Sequence, residues 1–221
     1  MAILFVVATP IGNLKDISLR AIETLKSVEL IACEDTRVTK RLLDEYKIDT
    51  RTISYHQHSK VGKIEFIISK LSEGKDVALV SDAGTPGISD PGGMLVKAVQ
   101  EQGIAVVTIP GPSAVIAALS ISGLPTDKFN FLGFLPHKKG RETFIKNLID
   151  AKVTTVFYES VHRIEKALAQ MQELGLDREI IVARELTKKF ETVYRGTAAE
   201  ILDQLGDDVV KGEFVVIVPP K

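Results

Sequence analysis

The sequence has little of what marks several specialised classes of protein. Its single cysteine, Cys33, excludes an intramolecular disulfide and any zinc site built from several cysteines. Cys33 ends an apolar run, so we expect a buried thiol. No apolar run approaches the roughly 20 residues of a membrane span, and no basic region precedes the apolar start of the chain. We therefore expect a cytoplasmic protein with no membrane segment.

The chain also lacks an excess of charge of either sign. Its 28 Lys and Arg residues oppose 29 Asp and Glu residues, which argues against a uniformly basic nucleic-acid binder. The near-zero total nevertheless conceals two basic segments, 37–63 and 128–166, each with a net charge of +4, because the rest of the chain is acidic, with residues 167–221 alone summing to −3. A charged face is usually only solvated, but two such segments also suit a structured RNA.

The first half of the 221 residues alternates short apolar runs with amphipathic stretches. Such alternation predicts crossover units and a largely parallel sheet, and several of the runs are continuously apolar, as in strands buried on both faces. The predicted strands are 3–9, 28–33, 52–55, 77–81 and 105–109, and the predicted helices are 18–27, 37–46, 60–73, 92–102 and 113–122.

A cluster of turn-forming residues at 122–127 predicts a domain boundary. Beyond it, segment 186–196 has the pattern of a hairpin or a bent strand, so the second sheet is expected to be mixed. The predicted strands are 130–135, 153–159, 179–185, 191–195 and 213–218, and the predicted helices are 140–150, 161–174 and 197–205. The sequence thus predicts two α/β domains, 1–122 and 128–221.

Three glycine- and proline-rich loops follow predicted strands of the first domain. They are 9–13, 81–93 and 110–114. In open α/β sheets ligands bind beyond the carboxyl ends of the strands, glycine permits close backbone approach, and proline restrains a loop's shape. One such loop could be an ordinary turn, but three in one domain predict a shared small-molecule site. The helix after Ser113 adds amides suited to a polar or anionic group.

The common nucleotide fingerprints are absent. No two glycines stand two apart, so a G-x-G-x-x-G motif cannot be written. Gly87 and Gly92 have Walker A spacing, but Gly93 stands where lysine is required. The predicted site therefore lacks a tight pyrophosphate cradle.

Two polar clusters follow other strands of the first domain. Glu34, Asp35 and Arg37 could supply a base or grip a phosphate, or could form a helix-capping cluster. His56 and His58 could act as a base or contact a substrate, or lie in a solvated turn. No third ligand accompanies them, so no metal is expected.

Other candidates lie in the second domain. Arg163 and Arg184 could contact phosphates, although ordinary ion pairs are favoured. Phe131 and Phe134 could form a base-stacking platform, although a place in the core is favoured.

Together these motifs resemble the tetrapyrrole-methylase superfamily of S-adenosylmethionine (SAM) enzymes. Within it they resemble the enzymes that methylate a ribose of a decoding-centre cytidine in small-subunit ribosomal RNA (rRNA). The resemblance covers essentially the whole chain and rests on Ala8–Leu14, Glu34–Arg37, 81–92, 110–113, Tyr158–Ser160, His162–Arg163, Arg184–Lys188 and Gly212–Phe214. The first loop, Thr-Pro-Ile-Gly-Asn, differs from the G-x-G-P-G type of the tetrapyrrole enzymes, which argues against the alternative of a tetrapyrrole C-methyltransferase.

The resemblance implies two α/β domains, with SAM in the cleft between them. It implies SAM contacts from Pro10, Ser81, Asp82, Thr85, Pro86, Ser113, Ala114, Glu159, Ala183, Gly212 and Glu213. Glu34 or Asp35 would take or orient the proton of the acceptor hydroxyl, and Arg37 would hold the adjacent phosphate. Contacts with the RNA are expected from His56, His58, Lys138, Lys139, Arg141, Arg163 and Arg184. The expected partners are small-subunit rRNA or the assembled subunit and a second copy in a homodimer.

Two departures from the family pattern accompany the resemblance. Val161 stands where proline is common, which affects only a local turn. The usual basic extension is missing after Lys221, and we expect RNA affinity to suffer. A SAM-binding module without transfer activity and an enzyme of phosphorylated sugars remain as further alternatives, although loop 81–93 has no basic residue for the latter.

Overall fold

A computed structural model describes residues 2–56, 61–206 and 212–221. The chain divides into two compact units, Met1–Ser113 and Ala114–Lys221. Within the described residues, no helix is both long and apolar enough to cross a membrane.

The N-terminal unit contains a five-stranded sheet whose strands all pair in parallel, and the prediction of a largely parallel sheet is confirmed. Its strand order is β3-β2-β4-β1-β5. The strands are β1 (Ile3–Val7), β2 (Leu30–Cys33), β3 (Thr52–Ser54), β4 (Val77–Val80) and β5 (Ala105–Ile109). The intervening helices are α1 (Leu19–Ser27), α2 (Thr36–Glu45), α3 (Val61–Ser72) and α4 (Gly93–Glu101).

The continuously apolar strands β2 and β4 lie in the middle of this sheet, and all of their residues are buried. Successive side chains of a strand point to opposite faces. Ile31 and Cys33 accordingly join one core cluster, whereas Leu30 and Ala32 join another. The sheet thus has a hydrophobic core on each face, and the expectation of a buried Cys33 thiol is confirmed.

The C-terminal unit contains a mixed five-stranded sheet, again as predicted, with the order β6-β7-β10-β8-β9. Among the described strands, β6 and β7 pair in parallel and the other neighbours pair antiparallel. Strands β8 and β9 form an antiparallel hairpin, whose second strand lies within the segment 186–196 where a hairpin or a bent strand was expected. The strands are β6 (Phe129–Phe134), β7 (Thr154–Ser160), β8 (Ile180–Arg184), β9 (Thr192–Gly196) and β10 (Glu213–Val218). The helices are α5 (Ala114–Ser120), α6 (Arg141–Ile149), α7 (Ile164–Glu173) and α8 (Ala198–Gly206).

The two units divide between Ser113 and Ala114, nine residues before the predicted end of the first domain at 122. Helix α5 belongs to the second unit because it contacts strand β10. The segment that follows α5 is held there as well, since the Arg195 guanidinium donates to the carbonyls of Ile121 and Ser122 at 2.6 and 2.8 Å. The turn-forming cluster therefore lies inside the second unit.

A candidate ligand site at the carboxyl edge of the parallel sheet

The three glycine- and proline-rich loops lie side by side because they follow adjacent strands. Strand β1 lies between β4 and β5. The backbones of Thr9 and Gly84 exchange two hydrogen bonds of 2.9 and 3.0 Å, and the Thr9 hydroxyl donates to the Ser81 carbonyl at 3.1 Å. The Ala8 amide donates to the Ile109 carbonyl at 3.1 Å. The first two loops are thus bonded to each other, and the third begins beside the first, where Gly111 lies against Ala8.

Two glycines permit this close approach. Gly84 has a φ of +75°, in the left-handed region that L side chains rarely adopt. A Cβ atom on Gly111 would lie 3.1 Å from the Cβ of Ala8, closer than ordinary van der Waals contact. A side chain at position 84 would strain the backbone, and one at 111 would crowd Ala8, so glycine at both positions lets the loops pack closely.

Two carboxyl groups from neighbouring strands add polarity to this edge. Strand β2 pairs with β4, and an Asp82 carboxylate oxygen accepts a hydrogen bond from the Asp35 amide at 3.0 Å. Burial, and next the negative charge of Asp82, raise the pKa of Glu34. Burial likewise raises the pKa of Asp82. These two groups therefore hold a proton to a higher pH than exposed carboxyl groups.

The pKa of Asp35 shifts in the opposite direction, because its carboxylate caps helix α2 and bonds to Arg37. Its carboxylate accepts a hydrogen bond from the Arg37 amide at 2.8 Å and lies 2.6 Å from the Arg37 guanidinium. These hydrogen bonds to Arg37 lower the pKa of Asp35 to about 2. The helix-capping alternative therefore describes Asp35, whereas the Arg37 side chain, 88% exposed, faces solvent.

The other residues predicted for this edge have varied surroundings. Ser81 is buried, and its hydroxyl donates to the Ala83 carbonyl at 3.1 Å. His56 is exposed, and its charge lowers the pKa of Glu34, whereas His58 lies outside the described residues. The remaining SAM candidates of this region are Pro10 and Pro86, which are buried, and Asp82, Thr85, Ser113 and Ala114, which are half-buried.

In the C-terminal unit, several predicted contacts form an interior ion-pair cluster instead. The Glu159 side chain has no exposed surface, and its carboxylate lies 2.7 Å from the Arg163 guanidinium and 3.5 Å from that of Arg141. It also accepts the Ser160 amide at 2.7 Å. The favoured ion-pair alternative is confirmed for Arg163. The expectation of an RNA contact from Arg141 needs correction, because Arg141 is buried.

The other predicted residues of this unit lie around the ends of strands β8 and β10. Arg184 is buried, and its guanidinium lies 3.3 Å from the Tyr194 hydroxyl. Ala183 is buried within the sheet. Gly212 has a φ of +101°, and a Cβ there would overlap the Glu185 side chain. Glu213 is exposed and lies 3.0 Å from Lys188.

Lys138 and Lys139 differ from these arginines because both are exposed. Of the residues predicted to bind RNA in this unit, these two lysines are the ones that are exposed to a ligand in solution.

The described residues contain no group of three His, Cys, Asp or Glu side chains close enough together to hold a metal ion.

The family model for tetrapyrrole (corrin/porphyrin) methylases matches residues 4–202. The chain belongs to the tetrapyrrole methylase family. The predicted fold of this family, with one parallel and one mixed sheet, is confirmed. Two solved structures are similar to this methylase in fold. They are cobalt precorrin-4 methyltransferase, with a TM-score of 0.74, 16% identity and coverage of 98% of this chain and 94% of that chain, and uroporphyrin-III C-methyltransferase from Thermus thermophilus, with a TM-score of 0.68, 18% identity and full coverage of both chains.

Closer relatives by sequence carry another name. The ribosomal RNA small subunit methyltransferase I of Synechocystis sp. is 48% identical to this chain over 220 residues, covering 99% of this chain and 79% of the relative. The enzyme of that name from Bacillus subtilis is 48% identical over 219 residues, with coverage of 99% and 75%. That from Escherichia coli O157:H7 is 48% identical over 219 residues, with coverage of 97% and 77%.

Proposed function

We propose that this protein transfers the methyl group of SAM to the ribose 2′-hydroxyl of a decoding-centre cytidine in small-subunit rRNA. The observation that carries the proposal is the 48% identity, over nearly the whole chain, to relatives named ribosomal RNA small subunit methyltransferase I. The solved tetrapyrrole enzymes, at 16 and 18% identity, support the fold alone.

The carboxyl edge of the parallel sheet fits SAM chemically. SAM supplies an electrophilic methyl group on a cationic sulfur atom. Loop 81–93 contains Asp82 and Asp90 but no basic residue, which suits a cationic centre better than a polyphosphate. Glycine at 84 and 111 lets the loops pack closely at this edge, where Asp82 and Thr85 remain partly exposed to a ligand. The residues that would hold it there are Pro10, Ser81, Asp82, Thr85, Pro86, Ser113 and Ala114.

Glu34 is the side chain best suited to handle the acceptor's proton. A ribose hydroxyl is a poor nucleophile and gains from a base within hydrogen-bonding reach. The raised pKa of Glu34 makes it a stronger base than an exposed carboxylate. Asp35 has a pKa of about 2 and is engaged by Arg37, so it is a weak base. In this account Glu34 takes the proton, and the exposed Arg37 contacts an RNA phosphate.

Transfer of a labelled methyl group tests the proposal. The protein is incubated with labelled SAM and either small ribosomal subunits from cells lacking the modification or uroporphyrinogen. We expect label in rRNA. Label in the tetrapyrrole would establish the alternative C-methyltransferase, and SAM binding without transfer to subunits, naked rRNA or tetrapyrrole would indicate a binding module.

The substitution Ser113→Trp should weaken SAM binding at least about tenfold, because an indole at the end of the third loop would occupy the space proposed for the ligand. Isothermal titration calorimetry measures the affinity, and circular dichroism confirms the fold. Ser120→Trp is the matched control, since Ser120 is exposed at the other end of α5. Unchanged affinity in Ser113→Trp would contradict this placement of SAM.

The double substitution Lys138→Ala/Lys139→Ala should raise the KM for small subunits and make binding less dependent on salt. Each lysine that neutralises a phosphate releases counterions, so the slope of log K against log salt should fall by roughly one to two. Lys97→Ala is the control, because that lysine is exposed on α4 beside Glu101. An unchanged slope would exclude phosphate contacts from this pair.

A further inference from the structure

We infer that three aromatic residues of the C-terminal unit form a platform on which an unpaired base of the RNA substrate stacks. The inference rests on the proposed function and adds to it an RNA-binding site in the C-terminal unit. The aromatic platform consists of Phe131, Phe134 and Tyr158. The basic loop beside it, residues 136–140, contains His137, Lys138 and Lys139.

The three rings form a contiguous cluster that remains open to solvent. The ring centroids of Phe131 and Tyr158 lie 5.0 Å apart, and those of Phe134 and Tyr158 lie 5.3 Å apart. Phe134 is 52% exposed, although an interior place was favoured for it on sequence grounds. The structure therefore corrects that expectation. The Tyr158 ring is inclined by 67° to that of Phe131 and by 59° to that of Phe134, so Phe134 is held by its neighbour and offers the exposed ring on which a base can stack.

A β-bulge in strand β6 brings Phe134 into this cluster. Phe131 pairs with Val156 and Phe134 pairs with Tyr158, so three steps along β6 match two along β7. Gly133, at the bulge, has a φ of +66°. In a regular strand, residues three apart point to opposite faces, but the extra residue returns Phe134 to the face of Phe131. The bulge in strand β6 thus places the Phe134 ring beside Tyr158, where the ring is half-exposed.

The basic loop follows β6 directly and is anchored by the buried ion-pair cluster. Arg163 donates to the Leu135 carbonyl at 3.1 Å, and Arg141 donates to the Pro136 carbonyl at 3.3 Å. Both guanidinium groups also lie against Glu159. The two anchored carbonyls hold the start of the loop in place before any ligand arrives, so binding loses less conformational entropy. Lys138 and Lys139 remain exposed, as phosphate contacts must be.

Single-stranded RNA combines the two chemistries that this surface matches. Its bases stack on aromatic rings and its phosphates pair with lysine. A second copy of this chain suits the surface less well. A two-fold symmetric contact would bring the same patch from both copies together, and with it two sets of adjacent lysines that repel one another.

Steady-state methylation of small subunits by variants of the platform tests the inference. Phe134→Ala should raise the KM for subunits about five- to tenfold, the lower part of the range for base–aromatic stacking. The kcat and the affinity for SAM should not change, and Phe134→Tyr should restore the KM because it keeps the ring. Leu132→Ala is the matched control, since Leu132 lies on the same strand and is 42% exposed. An unchanged KM in Phe134→Ala would overturn the inference.

A fluorescence measurement separates this inference from the proposed function. The protein has no tryptophan, so Phe134→Trp introduces a single reporter, as does the control Leu132→Trp. A single-stranded RNA oligonucleotide with the decoding-centre sequence should quench the indole fluorescence of Phe134→Trp by stacking and leave that of the control almost unchanged. Quenching without rRNA methylation would retain the platform and reject the proposed function. Methylation of rRNA without quenching would reject the platform and retain the proposed function.

Light scattering tests whether the aromatic platform is instead an interface between two copies of the chain. The molar mass of Phe134→Ala should equal that of the unsubstituted protein at the same concentration. A lower molar mass would show that the aromatic platform is an interface between copies of the chain, and the inference would then be wrong.

Discussion

Replacing Glu34 with glutamine should lower the kcat of methyl transfer by about 10²- to 10⁴-fold, the usual contribution of a general base. Glutamine has nearly the same shape but cannot accept the hydroxyl proton at neutral pH. The affinity for SAM should stay the same, because the proposed SAM contacts come from the loops after β1, β4 and β5. Single-turnover methylation of small subunits measures the rate, and calorimetry measures SAM binding.

Asp35→Asn is the matched control for Glu34→Gln. Asparagine caps a helix about as well as aspartate, so helix α2 should remain in place. Because hydrogen bonds to Arg37 lower the pKa of Asp35 to about 2, its carboxylate is a weak base, and its loss should reduce the rate far less. Undiminished turnover in Glu34→Gln would remove the proposed base, and a greater loss in Asp35→Asn would transfer the role to Asp35.

The pH dependence of kcat/KM should follow the raised pKa of Glu34. A general base acts as the carboxylate, so activity is present above its pKa and is lost as the pH falls through it. Burial and the charge of Asp82 raise this pKa above the ordinary 4.5, so the acid limb should lie at a higher pH than an exposed glutamate would give. The limb should disappear from the residual activity of Glu34→Gln.

Replacing Glu159 with alanine should reduce the free energy of unfolding by about 3–5 kcal/mol, the usual effect of removing one partner from a buried ion pair. The substitution leaves the buried guanidinium of Arg141 and the partly buried guanidinium of Arg163 without their carboxylate. It also removes the acceptor of the Ser160 amide. Urea unfolding followed by circular dichroism measures the change.

An exposed ion pair provides the comparison for Glu159→Ala. Glu142 lies 2.6 Å from Lys146 on the surface of α6, and Glu142→Ala should leave the urea midpoint almost unchanged. A triple variant with Glu159→Leu, Arg141→Met and Arg163→Met should recover much of the stability, since it removes the buried charges together. A midpoint in Glu159→Ala equal to that of the unsubstituted protein would show that the cluster contributes little.

Much of the architecture follows from apolar patterning. Continuous runs such as Leu30–Cys33 and Val77–Val80 indicate strands buried on both faces, and both are central strands of the parallel sheet. The end of the first unit is harder to predict because it depends on a tertiary contact. Helix α5 precedes the turn-forming cluster, yet it contacts β10, about a hundred residues later in the chain.

The position of the candidate site is also predictable, because loops after adjacent parallel strands share an edge. The roles of single residues at that edge are harder to predict from the sequence. Glu34 and Asp35 are neighbours in sequence, and their pKa values move in opposite directions because Glu34 is half-buried beside Asp82 and Asp35 is bonded to Arg37.

In the C-terminal unit, too, the surroundings of single residues are hard to predict from the sequence. Arg141 and Lys139 belong to one basic run, but Arg141 is buried against Glu159 and Lys139 is exposed. The exposure of Phe134 depends on a bulge that no simple alternation of apolar residues reveals. In each case the deciding partner lies elsewhere in the sequence.

The position of the transferred methyl group tests the proposed function most directly. Small subunits lacking the modification are incubated with the protein and SAM, and the rRNA is treated with alkali and examined by mass spectrometry. A 2′-O-methyl group blocks alkaline cleavage at its own nucleotide, because the hydroxyl that would attack the phosphate is gone. The account predicts one protected cytidine in the decoding centre, absent with Glu34→Gln. A methyl group on a base, on another nucleotide or on no RNA at all would contradict it.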